Sequence, residues 1–224
     1  MILFYGRISA MPHPKAILFD LDGTLVDSVP LWIEANLKTL ASLGVSMNAQ
    51  EFLTNFYHEG LHYEGILEKC GASTENAEQF YSDRNNQFAH LLHQKVEWIG
   101  KTESTLKLCA AKVPLGMMTG SRRFFVDAMD ERLNLSSLFS AIVTRDDTGT
   151  KMKPDPYGLL LLAERLGIAP ELCTYVGDLD VDMEAAKRAG MSSCLIKTAL
   201  TPEGAEKGAD VVIEKIERLV EMLK

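Results

Sequence analysis

Four short groups of polar residues in this chain of 224 residues carry side chains that could do chemistry, and each group follows an apolar run. The groups combine carboxylates with hydroxyls and amines. They are Asp20-Leu21-Asp22-Gly23-Thr24, Thr119-Gly120-Ser121, the pair Lys151 and Lys153, and the acidic set Asp178, Asp180 and Asp182. Together these residue types favour phosphoryl chemistry, in which charge on phosphate oxygens must be stabilised by donors and cations.

Several carboxylates gathered at one point repel each other, so such a site requires a hard cation. Mg²⁺ fits this requirement, because it binds through one or two carboxylates together with waters and substrate phosphate. A lysine facing the same site would neutralise phosphate charge. Thr119 and the backbone amides of Gly120 and Ser121, expected at the start of a helix, would donate hydrogen bonds to phosphate oxygens.

Each group taken alone has an ordinary structural explanation. Asp20 to Gly23 can form a solvated turn, Thr119 can be a helix cap, and a lysine before Pro154 is commonly a surface residue. The combination is more informative, because the four groups occur in order and each follows a predicted strand. We therefore interpret them as one site.

The elements that must position these groups are short strands alternating with helices. Apolar runs predict strands at Ala16 to Phe19, Val113 to Thr119, Ser140 to Thr144, Leu172 to Val176, Ser192 to Lys197 and Asp210 to Ile213. Helical patterns lie between and after them, at Glu103 to Ala111, Phe124 to Leu133, Pro156 to Leu166, Val181 to Ala189 and Ile216 to Leu223. This alternation predicts an α/β fold with a doubly wound, Rossmann-like parallel sheet, whose ligands bind at the carboxyl ends of the strands.

One segment, from Val29 to about Gln94, has helical periodicity only. Its first helix is predicted from an apolar stripe with Gly44 as the stop; the stripe is Leu31, Ile33, Leu37, Leu40 and Leu43. We expect a small all-α domain inserted into the sheet domain. The predicted boundaries assign residues 1–27 and 101–224 to the α/β core and 28–100 to the helical insertion, with Gly100 as a hinge.

Composition excludes several classes of function. The formal net charge of −8, without a block of Lys and Arg, argues against nucleic-acid binding and against an anionic membrane surface. The longest apolar run, Leu159 to Ala163, is too short to span a bilayer. The first ten residues do not resemble a signal peptide, and Met11 is a candidate alternative start. The four scattered cysteines predict reduced thiols in a cytoplasmic protein and do not indicate a zinc site.

These motifs resemble those of the haloacid dehalogenase superfamily. Phe19 to Ser28 (FDLDGTLVDS) is similar to its nucleophile motif and Met117 to Ser121 (MMTGS) to its second motif. Lys151 to Pro156 (KMKPDP) and Val176 to Asp182 (VGDLDVD) are similar to the third and fourth. The helical insertion matches the superfamily's cap, so the resemblance extends over nearly the whole chain from about Lys15.

The resemblance implies a role for each matching residue. Asp20 would be the nucleophile that forms an aspartyl-phosphate, and Asp22 would be the general acid and base. The residues that would bind phosphoryl oxygens are Gly23, Thr119, Gly120 and Ser121. Lys153, which precedes a proline as the family's lysine does, is favoured over Lys151 as the partner of phosphate.

The resemblance also implies a Mg²⁺ site. Its candidate residues are Asp20, Asp22 through its backbone carbonyl, Asp178 and Asp182. Asp182 would act on a metal-bound water or orient Lys153, and Asp180 would face solvent or cap the helix.

The presence of Asp22 favours phosphoryl transfer over dehalogenation, because the dehalogenases of this superfamily lack an acid at that position. The nearest branches are phosphoglycolate phosphatases and β-phosphoglucomutases. The mutase pattern has Glu-Asp in the fourth motif and an arginine after a cap glycine, whereas this chain has Gly177-Asp178 and, after Gly60, Tyr63. Hydrolysis of small phosphomonoesters is therefore the leading hypothesis, and a phosphomutase is the alternative.

The substrate is not specified by the motifs. His58, His62 and Tyr63 in the insertion, and Arg122 and Arg123 after the second motif, are candidate contacts of a small phosphorylated metabolite. Two further hypotheses are a signalling receiver module, which also takes phosphate on aspartate, and a catalytically idle binding protein. Chain length argues against the first, and the intact acidic motifs argue against the second. Monomer and homodimer both remain open.

Overall fold

The structure is a computed structural model that describes residues 13–57 and 63–224 of the chain. Six parallel strands form one sheet in the order β3-β2-β1-β4-β5-β6. The strands are β1 (Ala16–Phe19), β2 (Leu115–Met118), β3 (Ala141–Val143), β4 (Cys173–Gly177), β5 (Ser192–Ile196) and β6 (Val211–Ile213). The predicted α/β, doubly wound fold is confirmed.

Helices surround this sheet and also form the insertion between β1 and β2. The α-helices are α1 (Val29–Ser42), α2 (Ala49–Phe52), α3 (Tyr63–Lys69), α4 (Ala77–Lys95), α5 (Thr102–Ala110), α6 (Arg123–Leu133), α7 (Leu135–Leu138), α8 (Arg145–Thr148), α9 (Tyr157–Leu166) and α10 (Asp180–Arg188). Shorter turns of other helix types are Leu53–Tyr57 (π) and Thr74–Asn76, Pro170–Leu172, Ala205–Gly208 and Ile216–Leu223 (3₁₀).

The central strands β1, β2 and β4 are buried along their whole length, as expected for strands covered on both faces, which explains their apolar sequences. All four residues of β1 are fully buried. On one face, Leu18 and Tyr175 pack in a cluster with Leu162 of α9 and Ala186 of α10. Gly158 allows α9 to approach β2, because a Cβ atom at this position would lie 2.5 Å from Met118 Cε.

The last predicted helix, Ile216 to Leu223, is a 3₁₀-helix and not an α-helix. Its buried residues are Ile216, Leu219 and Met222, which are three positions apart. A 3₁₀-helix has three residues per turn, so this spacing keeps all three side chains on the buried face.

The contacts divide the chain into two compact units: the described residues up to Asp27 together with Glu97–Lys224, and Ser28–Val96. We call them the sheet unit and the helical unit. The segment that returns to the sheet unit is tied to the segment after β1, since Asp27 N–H donates to Glu97 O and Ile99 N–H to Leu25 O. Residues 97–100 therefore lie with the sheet unit, although the sequence assigned them to the insertion.

In the helical unit, α1 packs against α4, and the predicted apolar stripe of α1 is buried with one exception. Leu31, Ile33 and Leu40 are buried, and Leu37 is half-buried. Leu43 was expected to continue the stripe but is exposed, because α1 ends at Ser42 and the chain turns there. The turn is closed by the Gly44 N–H, which donates to Ala41 O.

Some expectations lie outside the described residues: those for the first ten residues, Met11, His58, Gly60 and His62, together with the side chain of Tyr63. The four cysteines are free thiols, three of them buried, while Cys70 is half-buried. None of the described helices combines the length and apolar character needed to cross a membrane.

Candidate active site

The candidate site lies where β1 and β4 end side by side. These strands are neighbours in the sheet, and the connections from them run to opposite edges, which is where open α/β sheets bind ligands. The N–H of Asp20 donates to Val176 O at 2.9 Å, so the residue after β1 is tied to the end of β4. This pairing brings Asp20 close to the acidic group that follows β4.

Lys153 lies between two of these aspartates. Its Nζ is 2.5 Å from Asp20 Oδ1 and 2.6 Å from Asp182 Oδ1. The lysine side chain is 12% exposed, and those of Asp20 and Asp182 are 7% and 0% exposed. The loop after α8 therefore delivers an ammonium group into a buried carboxylate pair.

Asp182 is held by the start of α10. Its Oδ2 accepts a hydrogen bond from Leu179 N–H at 3.1 Å, and its Oδ1 accepts from Lys153. Gly177 makes room for it, because a Cβ atom there would lie 2.5 Å from Asp182 Cβ and Cγ. With both oxygens engaged, Asp182 is better suited to orient Lys153 than to ligate a metal.

Asp178 is positioned by hydroxyls on two other segments. Thr24 Oγ1 donates to Asp178 Oδ1 at 2.7 Å, and Thr198 Oγ1, after β5, donates to Oδ2 at 3.4 Å. Gly23 has a φ of +83°, and a Cβ atom there would lie 3.2 Å from Asp178 Oδ2. A glycine at this position therefore lets the turn after β1 approach Asp178 closely.

A divalent cation fits the carboxylates gathered here. Asp20, Asp178 and Asp182 are buried, and each offers one oxygen within 4.8 Å of the oxygens of the others. Carboxylate oxygen is the donor that Mg²⁺ prefers. The single ammonium of Lys153 cannot balance three buried carboxylates together with nearby Asp22, so the residues present fit the predicted Mg²⁺ site.

The charges of the cluster shift its pKa values. Burial raises the pKa of Asp20 to about 8; Lys153 opposes this shift, and the neighbouring carboxylates add to it. Burial raises the pKa of Asp178 to about 6, although the hydrogen bond from Thr24 opposes the rise. Burial lowers the pKa of Lys153, but Asp182 and Asp20 outweigh that effect and raise it well above its usual value. The surroundings of these carboxyl groups therefore disfavour the state in which all of them are ionised.

Asp22 points to the residues after β2. Thr119 Oγ1 donates to Asp22 Oδ2 at 2.9 Å, and Ser121 Oγ donates to the same oxygen at 2.8 Å. The Ser121 N–H donates to Thr119 Oγ1, and α6 begins only at Arg123. The structure thus brings Asp22, Thr119 and Ser121 together, but the Ser121 amide is engaged within its own turn and does not lie at the start of a helix as expected. Gly120 lies between Thr119 and Ser121 in the chain, and a Cβ atom at this position would lie 3.2 Å from Met152 Cε.

Other candidates lie outside this cluster. Lys151 is exposed, with Nζ 3.9 Å from the centroid of the Tyr157 ring. Asp180 is exposed and accepts a hydrogen bond from Val181 N–H. The guanidinium of Arg123 lies 3.7 Å from Asp147, and Arg122 is exposed.

Sequence reasoning missed three residues that touch this cluster. Tyr175 was assigned only to the apolar run of β4, yet its hydroxyl reaches Lys153 Nζ at 3.3 Å. Thr198 lies after β5, where the sequence has no motif that would indicate a site. The contact of Gly177 with Asp182 was also missed, although a glycine directly before a functional aspartate is a signal of close backbone approach.

Comparison with known proteins identifies relatives over most of the chain. It is 29% identical over 222 residues to the phosphoglycolate phosphatase of Chromobacterium violaceum, covering 96% of this chain and 98% of that protein. A predicted phosphoglycolate phosphatase from Haemophilus somnus has a similar structure, with a TM-score of 0.82 at 19% identity, covering 96% of this chain and all of the other.

A protein assigned as a β-phosphoglucomutase from Thermotoga maritima has a TM-score of 0.77 at 25% identity, covering 93% of this chain and 98% of the other. The family model of haloacid dehalogenase-like hydrolases matches residues 17–196, a span that contains all four motifs. The predicted resemblance is confirmed: the chain belongs to the haloacid dehalogenase-like hydrolase family.

Proposed function

We propose that this protein is a Mg²⁺-dependent phosphatase that hydrolyses small phosphomonoesters through an aspartyl-phosphate on Asp20. The observation that carries the proposal is the buried contact of Lys153 with Asp20 and Asp182 beside Asp178. This arrangement joins a carboxylate nucleophile to a cation that can bind phosphate. The name of the Chromobacterium violaceum relative supports the same reaction class.

In the first half of the reaction, a carboxylate oxygen of Asp20 attacks phosphorus and the bond from phosphorus to the ester oxygen breaks. Asp22, as a carboxylic acid, gives its proton to the departing oxygen, and the alcohol leaves. Lys153 offsets the charge of the phosphoryl group, and the N–H that contacts Asp20 in the structure would donate to a phosphoryl oxygen once substrate is bound. Thr119 and Ser121, which hold Asp22 Oδ2, aim this carboxyl group.

In the second half, the Asp22 carboxylate takes a proton from water, and the water oxygen attacks phosphorus. The bond between phosphorus and Asp20 breaks, which releases inorganic phosphate and regenerates both aspartates in their starting protonation states. Asp22 thus serves as acid and then as base, while Asp20 carries the phosphoryl group between the two steps.

Asp20, Asp178 and the backbone carbonyl of Asp22 would hold Mg²⁺, with Asp182 as a further carboxylate at the edge of the set. When bound, the ion would offset the clustered negative charge, lower the pKa of Asp20 and withdraw charge from a phosphoryl oxygen. Thr24 and Thr198 would keep Asp178 in place for this role.

We expect a small phosphorylated metabolite of the phosphoglycolate or sugar-phosphate type as substrate, and the cytoplasm as the site of action. The names of the relatives support the substrate class. The free thiols support the compartment, because extracellular proteins more commonly pair their cysteines.

The test is release of inorganic phosphate from a panel of phosphomonoesters with two to six carbons, in Mg²⁺ or in a chelator. We expect turnover that requires Mg²⁺ and is lost in Asp20→Asn. Asp180→Asn is the matched control, because Asp180 is an exposed aspartate at the start of α10. Phosphate release by Asp20→Asn at the wild-type rate would contradict the mechanism.

The same panel distinguishes the phosphomutase alternative, which the similarity to the Thermotoga maritima protein keeps open. A mutase would isomerise a sugar phosphate, would require a bisphosphate activator, and would release no net phosphate. Phosphate release that matches substrate loss in moles would exclude it.

A further inference from the structure

Tyr175 is a buried tyrosine whose ring and hydroxyl lie in different surroundings. It is fully buried, and its ring packs in the apolar cluster under α9 and α10. Its hydroxyl lies at the edge of this cluster, 3.3 Å from Lys153 Nζ, 3.3 Å from Asp182 Oδ1 and 3.4 Å from Met118 O. The buried ring of Tyr175 thus places its hydroxyl oxygen at the base of the candidate site.

The contacts of Lys153 account for all the hydrogens of its ammonium group. An ammonium has three N–H donors and no acceptor. The structure offers three acceptors, Asp20 Oδ1 at 2.5 Å, Asp182 Oδ1 at 2.6 Å and the Tyr175 hydroxyl oxygen at 3.3 Å. Two of them, on Asp182 and Tyr175, belong to β4 and the helix that follows it. They fix the direction in which the third N–H points.

We propose that Tyr175 is a positioning residue for Lys153: its hydroxyl and Asp182 hold two of the ammonium hydrogens, so that the third points toward Asp20 and the phosphoryl group. This inference rests on the proposed function, because it assigns the purpose of the contact to phosphate binding. Tyr175 acts through Lys153 and does not itself touch the reacting atoms.

The hydroxyl suits this role because it can accept one hydrogen bond and donate another, and the structure offers partners for both. A neutral hydroxyl accepts from the lysine while donating its own hydrogen to Asp182 or to Met118 O. Since Met118 ends β2 directly before Thr119, the hydroxyl also links Lys153 to the strand that positions the second motif.

Tyr175→Phe tests the hydroxyl separately from the ring. Phenylalanine keeps the ring in the apolar cluster and removes only the oxygen that contacts Lys153. We expect kcat to fall roughly tenfold, the loss of about one hydrogen bond to a charged group, with KM changed less than about twofold. Thr174→Val is the matched control, because it removes a buried hydroxyl from the opposite face of β4; it should keep the wild-type kcat.

A second readout does not depend on activity. The ¹H–¹⁵N signal of the Lys153 ammonium, identified by its loss in Lys153→Arg, reports directly on the groups around its hydrogens. We expect Tyr175→Phe to shift or broaden this signal and Thr174→Val to leave it unchanged.

The outcomes separate this inference from the proposed function. An unchanged ammonium signal in Tyr175→Phe overturns the positioning role, whether or not stability falls, and so does an unchanged kcat in an active enzyme. If wild-type protein releases no phosphate from any substrate, the proposed function fails and the role in catalysis fails with it. A lowered kcat with a shifted signal, at wild-type KM, supports the inference.

Discussion

Asp20 and Asp22 are two residues apart, yet they lie in different surroundings. Asp20 is buried, contacts Lys153 at 2.5 Å and lies among other carboxylates. Asp22 is half-buried and accepts hydrogen bonds from the hydroxyls of Thr119 and Ser121. Different surroundings are what allow two neighbouring carboxyl groups to take different parts in one reaction. The pair is therefore suited to a division between nucleophile and acid–base group.

We predict that Asp22→Asn loses activity to a degree that depends on the leaving group. With an alkyl phosphate, kcat should fall roughly 10²- to 10⁴-fold, the usual contribution of general acid–base catalysis. With p-nitrophenyl phosphate the first step should be much less affected, because its leaving oxygen needs no proton. Burst kinetics with p-nitrophenyl phosphate, compared with steady-state phosphate release, measure the two steps separately.

Asp180→Asn serves again as the control and should show wild-type kinetics with both substrates. An Asp22→Asn variant whose burst rate falls equally for both leaving groups would argue against proton donation by Asp22.

Individual functional residues could be proposed from the sequence because four motifs occur together and resemble those of one family, although each motif alone has an ordinary structural explanation. Lys153 was favoured over Lys151 because it precedes a proline, as the family's lysine does. Tyr175 could not be chosen this way, because a tyrosine in an apolar strand is ordinarily a core residue. Its polar contact depends on where the side chains of Lys153 and Asp182 end, which a sequence does not specify.

At the scale of elements, the end of β4 and the start of α10 act together to place Asp182. Gly177 ends the strand, and its missing side chain leaves the space that Asp182 occupies. Asp182 in turn accepts the N–H of Leu179 at the start of α10. The position of Lys153 therefore depends on a close approach between this strand and this helix.

We predict that Gly177→Ala harms both stability and activity. The new methyl group would lie 2.5 Å from Asp182 Cβ and Cγ, so the helix start must shift. We expect the free energy of unfolding to fall by about 1–3 kcal/mol, as in other overpacked sites, and kcat to fall as Lys153 loses its partner. Urea unfolding and phosphate release measure the two effects.

Gly208→Ala is the control for this substitution. Its methyl group would lie 3.3 Å from Met183 Cβ, which is close but far less severe, and it is remote in sequence from the motifs. It should cost less stability and keep wild-type kcat. If Gly177→Ala also keeps wild-type kcat, the placement of Asp182 does not depend on this glycine.

A second element-scale prediction concerns Asp147, which joins β3, α8 and α9. It accepts hydrogen bonds from the Thr144 N–H and hydroxyl and from the Arg165 guanidinium. Partial burial alone would raise the pKa of Asp147, but these hydrogen bonds outweigh it and lower the pKa below its usual value. Asp147→Asn should reduce the free energy of unfolding at pH 7 by about 1–3 kcal/mol.

The pH dependence of this loss has a definite sign. A carboxyl group whose pKa is lowered by folding adds stability above its unfolded pKa, near 4, and loses it as the pH falls through the folded pKa. The difference between wild type and Asp147→Asn should therefore be full at pH 7 and shrink below about pH 4. Asp127→Asn, an exposed aspartate on α6, should show no such difference. A loss that stays constant down to pH 3 would contradict the assignment.

Strands and helices were predictable from the sequence where burial alone determines their pattern of apolar residues. The six strands were located from apolar runs, because both faces of this sheet are covered. The end of α1 was predicted correctly from Gly44, which follows the C-cap Leu43, but Leu43 itself was wrongly expected to be buried, because it fits the apolar period while the chain already turns there. The helix type of Ile216–Leu223 was missed because apolar residues three positions apart fit both an α-helix and a 3₁₀-helix over so short a segment.

At the scale of the whole molecule, an acidic protein is proposed to bind an anionic substrate. The chain carries 31 acidic and 23 basic side chains. The local field at the site depends on Lys153 and on a bound cation more than on this net charge, because charges a Debye length away are screened. We therefore expect bound Mg²⁺ to affect the stability of the folded protein as well as catalysis.

The two units each contain one of the two tryptophans, which allows them to be observed separately. Trp98 belongs to the sheet unit, where it pairs with Val26. Trp32 belongs to the helical unit, where its ring contacts Phe52 at 5.5 Å between centroids. The variants Trp32→Phe and Trp98→Phe thus leave one fluorescent reporter for each unit.

We predict that Mg²⁺ stabilises the sheet unit and that this effect grows with pH. Burial raises the pKa of Asp20 to about 8 and that of Asp178 to about 6, both above the usual value near 4. A carboxyl group whose pKa is raised by folding costs no stability below its unfolded pKa, and the cost grows as the pH rises toward the folded pKa. Without metal, the two carboxyl groups therefore cost more stability at pH 8 than at pH 5.

Mg²⁺ binds the ionised carboxylates, so its stabilisation should grow over the same range of pH. At a concentration 100 times the dissociation constant, it should add about 2.7 kcal/mol, because it binds the folded state and not the unfolded one. Thermal unfolding of Trp32→Phe, followed by Trp98 fluorescence, should show a large Mg²⁺-dependent rise in Tm at pH 8 and a small one at pH 5. Asp178→Asn should remove most of the rise at pH 8, while the exposed change Asp180→Asn should keep it. An equal rise in Tm at both pH values would mean that the ion is held by groups other than these buried carboxylates.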